Sequence, residues 1–157
     1  MIVNISEIHK VLGGMLEVPV YLSPQSIEGL ELEEPVRGWV RVENLGPRFH
    51  LTGELHTRAR MDCSRCLGSF VLPLSAELDE YYAAGNDEFA YNSTGELEDL
   101  NTFAFFGDEI DLNQTIRETL HLAVPWTPLC QEGCQGICLQ CGANRNERKC
   151  ACSQEQD

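Results

Sequence analysis

Positive charge is missing from a third of this 157-residue chain: no Lys or Arg occurs between Arg65 and Arg117, while acids accumulate from Glu77 to Asp111. The formal net charge is −14. Nonspecific nucleic-acid binding by phosphate neutralisation requires clustered cations, so a chain of this balance is poorly suited to it. Such a charge suits a basic partner, or serves only solubility. No apolar run is long enough to cross a bilayer. The start, Met1 to Lys10, lacks the basic and apolar regions of a secretory signal, so a reducing location, bacterial cytoplasm or plastid stroma, is expected. No Ser-His-Asp set, phosphate loop or paired-carboxylate arrangement stands out. His9, His50, His56 and His121 show no metal-motif spacing and read as surface or boundary residues. No internal repeat or low-complexity tract is present.

What the chain does have is cysteine. Six of its eight cysteines lie between Cys130 and Cys152, and Cys63-Ser-Arg-Cys66 stands apart upstream. Cys138-Leu-Gln-Cys141-Gly142 has the form of a zinc knuckle, in which two thiolates three residues apart face one metal across a tight turn. This Gly-rich, polar stretch has little with which to build an apolar core, so metal is expected to hold it. Two partitions are open. In the first, Cys138, Cys141, Cys150 and Cys152 take one zinc, and Cys63, Cys66, Cys130 and Cys134 take a second, pinning the tail to the upstream pair. In the other, the C-terminal six share one site and Cys63 and Cys66 stay free. A disulfide framework suits a secreted chain better than this one. A thiol-redox or metal-handling protein using Cys63 and Cys66 is the rival, although reactive pairs usually open a helix and this one joins two strands. A catalytic zinc needs an open position, which all-thiolate sites rarely keep.

The remaining pattern predicts an α+β fold. Ile2, Ile5, Ile8 and Leu12 have helical spacing, with Ser6 as cap and Gly13-Gly14 as stop. Met15 to Leu22, interrupted by Pro19, reads as an edge strand. Val36 to Val42 alternates, the turn 44–48 follows, and Phe49 to Met61 alternates strictly. Phe70 to Tyr82 resumes the period, making Cys63-x-x-Cys66 the turn of a long antiparallel hairpin. Residues 83–108 read as a mobile acidic loop whose Phe103 to Phe106 touches the core. Asp111, with Gln114 three residues on, opens a helix carrying Leu112, Ile116, Leu120, Ala123 and Val124 on one stripe and ending at Pro125. The expected whole is an antiparallel sheet with one packed helix over residues 1–125, and a zinc-binding tail over 126–157.

Taken together, Cys63-Ser-Arg-Cys66-Leu67, the helix from Asp111 to Pro125, and Pro128-Leu-Cys130-x3-Cys134-Gln-Gly-Ile-Cys138-x2-Cys141-Gly-Ala-Asn144-Arg-Asn146-x3-Cys150-Ala-Cys152 resemble the YceD family of large ribosomal RNA subunit accumulation proteins. The resemblance covers nearly the whole chain, departing at Arg145, where the family more often carries Leu. It implies a non-enzymatic ribosome-biogenesis factor for large-subunit rRNA, whose loss lowers precursor or mature rRNA. The family's gene often neighbours that of a small basic large-subunit ribosomal protein, and some members lack most of these cysteines, so zinc would stabilise rather than act. Two partners are compatible with the charge. One is a basic ribosomal protein sheathed by the acidic surface. The other is a ribosomal precursor whose rRNA is touched by a local patch of Arg58, Arg60, Arg65, Arg145, Arg148 and Lys149, which flank the two cysteine clusters.

Overall fold

In the computed structural model, residues 1–85, 102–150 and 152 are described. Seven strands and one helix follow in order: β1 (Ile2–Asn4), β2 (Met15–Leu22), β3 (Val36–Asn44), β4 (Arg48–Asp62), β5 (Ser69–Ala84), β6 (Thr102–Phe105), β7 (Glu109–Asp111) and α1 (Asn113–Leu122). Strands β2 to β6 form one five-stranded sheet in sequence order. Its spine is the β4–β5 hairpin, paired without interruption from Arg48 opposite Ala83 to Asp62 opposite Ser69.

Alternation explains the layers. Phe49, Leu51, Leu55 and Ala59 of β4, and Leu74, Ala76 and Leu78 of β5, are buried on one face, because successive side chains of a strand point to opposite sides. The helix covers that face with Leu112, Ile116 and Leu120, all fully buried beside Val36, Val40 and Val42. Pro19 sits in β2, at the sheet edge, where its missing N–H is tolerated.

Four sequence expectations are corrected. The first residues are not helical: Ile2–Asn4 pairs antiparallel with β7, and the Ile5 amide then donates to the Asp108 carbonyl (2.8 Å) before a series of turns. A short β-branched stretch nucleates helix poorly, whereas a waiting strand satisfies its backbone at once. The sheet is mixed rather than purely antiparallel, since β6 runs parallel to the end of β5. The acidic segment is shorter than expected. Ala83 and Ala84 belong to β5, and 102–105 is a strand whose Phe105 is buried against Phe49 and His9, although Phe106 is exposed. The rest of the expected mobile loop, residues 86–101, lies outside the described residues. Finally, Asp111 ends β7 instead of capping α1. Its carboxylate accepts from the Asn113 amide (3.0 Å), Leu112 holds the cap position, and Gln114 donates to Glu118 (2.8 Å).

Candidate metal centre

The hairpin turn and the tail build one another. At the turn, the Cys63 amide donates to the Gly68 carbonyl (3.0 Å) and the Leu67 amide to the Cys63 carbonyl (2.9 Å). Leu67 therefore adopts a left-handed φ of 59°. In the tail, the Gly142 amide returns to the Cys138 carbonyl (2.8 Å) with φ 71°. The two C-x-x-C segments thus make the same knuckle, with leucine in the first at the place glycine takes in the second. Leu67 was missed in the sequence, where only the glycine version was read as a knuckle. A non-glycine residue held there costs roughly 1–2 kcal/mol, as tight ligand turns often do.

Three contacts seat the tail on the turn: Ser64 N–H to the Pro128 carbonyl (2.9 Å), Ile137 N–H to the Arg65 carbonyl (3.2 Å), and the Arg65 guanidinium to the Cys134 carbonyl (3.1 Å). Gly136 permits the approach. Its φ is 70°, and a Cβ there would meet the Arg65 carbonyl oxygen at 3.1 Å.

The eight sulfurs gather into two groups, Cys63, Cys66, Cys130 and Cys134, and Cys138, Cys141, Cys150 and Cys152, each with all sulfurs within 4.8 Å of one another. Cys63–Cys134 and Cys66–Cys130 stand 3.7 Å apart. A disulfide would bring sulfurs to about 2 Å. A tetrahedron with zinc–sulfur bonds of about 2.3 Å has edges of about 3.8 Å. Each quartet can therefore hold a metal ion, and the donor set and spacing fit zinc. The grouping coincides with the first of the two partitions above.

Electrostatics support the same fit. Backbone amides of Cys66 and Cys130 pull the Cys63 thiol down to about 6, and those of Cys141 and Gln140 do the same for Cys138. Their neighbours go the other way. Burial, then the surrounding thiols, push Cys130 up to about 12, while the Cys141 thiol and burial push Cys152 up to about 11. Cys134 is opposed by burial but ends lowered, through the Gly136 amide and the Asn146 side chain. Four thiols packed this closely cannot all ionise without a cation between them.

Two residues of the loop between Cys141 and Cys150 support the sulfurs. Asn146 reaches out of its own quartet: its amide donates to Cys134 Sγ (3.3 Å) while its carbonyl oxygen accepts from the Gln135 N–H (2.8 Å). Asn144 accepts from the Asn146 amide and donates to Glu147 (2.7 and 2.8 Å). Arg145 lies against Cys138 and Cys150, whose sulfurs raise its pKa.

The six cations of the sequence-derived patch are not equivalent. Arg58 pairs with Glu34 (3.5 Å), and Arg60 with Glu31 (3.8 Å) and Glu33 (2.7 Å). Arg65 and Arg145 are turned to the cysteine sites. Arg148 and Lys149 have neither an acidic partner nor a contact to the cysteine sites among the described residues. The histidines serve locally: His9 contacts Asp108 (2.5 Å), His50 contacts Asp79 (2.6 Å) and stacks on Tyr81, and His121 contacts the Glu28 carbonyl (2.9 Å).

Residues 51–157 match the family model described as large ribosomal RNA subunit accumulation protein YceD. The chain is 31% identical over 144 residues to the Arabidopsis thaliana protein named Large ribosomal RNA subunit accumulation protein YCED homolog 1, chloroplastic, covering 78% of this chain and 45% of that one. It is 42% identical over 45 residues to the Zea mays protein of the same name, covering 28% and 15%. An uncharacterized Mycobacterium tuberculosis protein is 28% identical over 148 residues, covering 90% and 69%. This chain thus spans under half of the Arabidopsis protein and about two thirds of the mycobacterial one. No solved structure matches.

Proposed function

The chain belongs to the YceD family of large ribosomal RNA subunit accumulation proteins, and from that premise we propose that it supports accumulation of large-subunit rRNA as a zinc-stabilised, non-enzymatic binding factor. The observation that carries the binding-factor reading is the state of its cations. Against a net charge of −14, Arg41, Arg58, Arg60 and Arg117 are paired with acids, and Arg65 and Arg145 serve the cysteine sites. Over the whole chain acids outnumber Lys and Arg by 25 to 11, which favours a basic ribosomal protein over naked RNA. Within the patch flanking the cysteine clusters, direct rRNA contact would fall to Arg148 and Lys149.

The tail, described over residues 126–150 and 152, is the device that closes the far end of the hairpin once zinc holds it. The main core lies within residues 1–123, whereas the tail shares a separate small cluster of Cys63, Cys66 and Cys134 with Phe70, Leu129 and Ile137. The redox reading of Cys63 and Cys66 is disfavoured by burial: Cys63 is wholly inaccessible, and a reactive thiolate must be reached by its substrate. Bacterial cytoplasm or plastid stroma is the proposed location, and no described helix is long and apolar enough to cross a membrane.

Depletion of the protein is expected to lower precursor and mature large-subunit rRNA relative to small-subunit rRNA, measured by northern blotting, with recovery on re-expression. An unchanged ratio in fully depleted cells would remove the reading.

A further inference from the structure

Helix α1 ends against Pro125, and just there two large apolar side chains stand in water: Leu122 is 86% and Trp126 101% exposed. Single exposed apolar residues are ordinary, but adjoining ones rimmed by charge mark binding surfaces. Leu122 and Trp126 line a cleft of about 510 Å³ together with Leu30 and Val124. Leu122 also lines a second cleft of about 580 Å³ between α1 and β5, bordered on the strand by Ser75, Ala76, Glu77, Asp79 and Glu80. The two clefts therefore form one surface joined at Leu122.

No Lys or Arg lines either cleft among the described residues. Asp79 contacts His50 (2.6 Å), and the Glu80 carboxyl is held above its ordinary value by burial, Asp79 and Glu118. Beyond Tyr81–Ala84, where β6 pairs, β5 has a strand on its β4 side alone among the described residues. By strand alternation Glu80 shares the α1 side of β5 with Ala76 and Leu78, while Glu77 and Asp79 stand on the opposite side, so carboxylates flank the open backbone edge on both faces and the apolar socket lies on the α1 side.

Resting on the binding-factor reading above, the geometry points to this surface as the docking site for an extended segment of a basic protein, with Lys or Arg against Glu77, Asp79 and Glu80 and one large apolar residue against Leu122 and Trp126. The charge selects the occupant. Phosphate-bearing RNA is repelled by the same carboxylates, and a second copy of a chain carrying −14 is repelled as a whole. Trp is the residue type most often dominant in such contacts.

The test uses the full-length, metal-loaded protein and two short fluorescent peptides, one of lysines with a central leucine pair and one of lysines alone, followed by anisotropy at low and physiological salt. The leucine-containing peptide is expected to bind more tightly to wild type, and to lose about tenfold or more in affinity with Leu122→Ser/Trp126→Ser. Glu77→Gln/Asp79→Asn/Glu80→Gln should weaken both peptides, whereas Glu17→Gln/Glu43→Gln on the distant β2–β3 edge should weaken neither to that extent. Both positions of the apolar pair are on the surface, so retained thermal transitions verify folding. Equal affinity for the two peptides, or equal loss from the distant acids, would overturn the site. So would sedimentation showing a wild-type dimer that the serine variant abolishes and the peptide does not displace. In depleted cells, full rescue of large-subunit rRNA by the serine variant would sink this inference alone, whereas no rRNA defect on depletion would sink the functional reading alone.

Discussion

Stripping the metal is expected to free residues 126–150 from the hairpin turn while the sheet stays folded. Ordering roughly 25 backbone residues costs on the order of 25 kcal/mol, at about 1 kcal/mol each. Without metal, three hydrogen bonds seat the tail on the turn, worth about 1 kcal/mol each. Partial burial of Leu129 and Ile137 against Phe70 adds about 2–3 kcal/mol, and backbone bonds within the tail, such as Cys138 N–H to the Ala143 carbonyl and Arg145 N–H to the Gly136 carbonyl, about 6. These contacts fall well short of the ordering cost. Structural zinc, at about 10 kcal/mol or more per ion, is large enough to supply the difference. The main core contains no cysteine, so it has no reason to melt with the tail.

The assay is limited proteolysis before and after chelation, with elemental analysis and far-ultraviolet dichroism on the same samples. Wild type should carry two zinc ions, and Cys63→Ser/Cys66→Ser one. Chelation should open cleavage within 126–150 while the sheet signal persists. A metal-free protein that resists cleavage there would refute the reasoning, because contacts other than metal would then hold the tail. Loss of the whole sheet with the metal would refute the independence of the core. One ion in both proteins would refute the assignment of the hairpin turn to a metal site.

Asn146→Ala removes an N–H···S contact to Cys134 from a residue in the other quartet's loop. Outer partners of this kind are worth tenfold or more in metal affinity, so competition with a chromogenic chelator should show the first quartet weakened by about tenfold. Unchanged affinity would make Asn146 a loop residue only. Burial raises Tyr82 from 10.0 to about 12. A pKa raised on folding stabilises the protein fully below the unfolded value, so this contribution is present below pH 10 and is lost as pH rises through 12. Absorbance titration should show a phenolate step near 12 that Tyr82→Phe abolishes; an identical titration of the variant would contradict the burial argument.

Much of the site could be read along the chain because its information is local. A C-x-x-C pair at a break between two alternating strands can only be a turn, and six more cysteines in a polar, glycine-bearing stretch have few other uses. The strict alternation of Phe49 to Ala59 determined a half-buried strand for the same reason, since the period of two leaves one face apolar. So did the stripe of Leu112, Ile116 and Leu120 for the helix. Other features depended on residues far apart meeting. Ile2 to Asn4 could be a strand only because β7, over a hundred residues later, supplies its partner. The parallel direction of β6 follows from where the chain returns, which no local pattern encodes. Leu67 takes glycine's conformation because the knuckle demands it, and nothing in its identity says so. The grouping of sulfurs was likewise left open by spacing. It was decided when Pro128, Cys134 and Ile137 found hydrogen bonds at Ser64 and Arg65. The acidic balance was plain in composition; that Arg58 and Arg60 are already engaged by Glu31, Glu33 and Glu34 was not. Their side chains meet only because the segment leading into β3 is laid beside the end of β4, and that is a property of the folded chain.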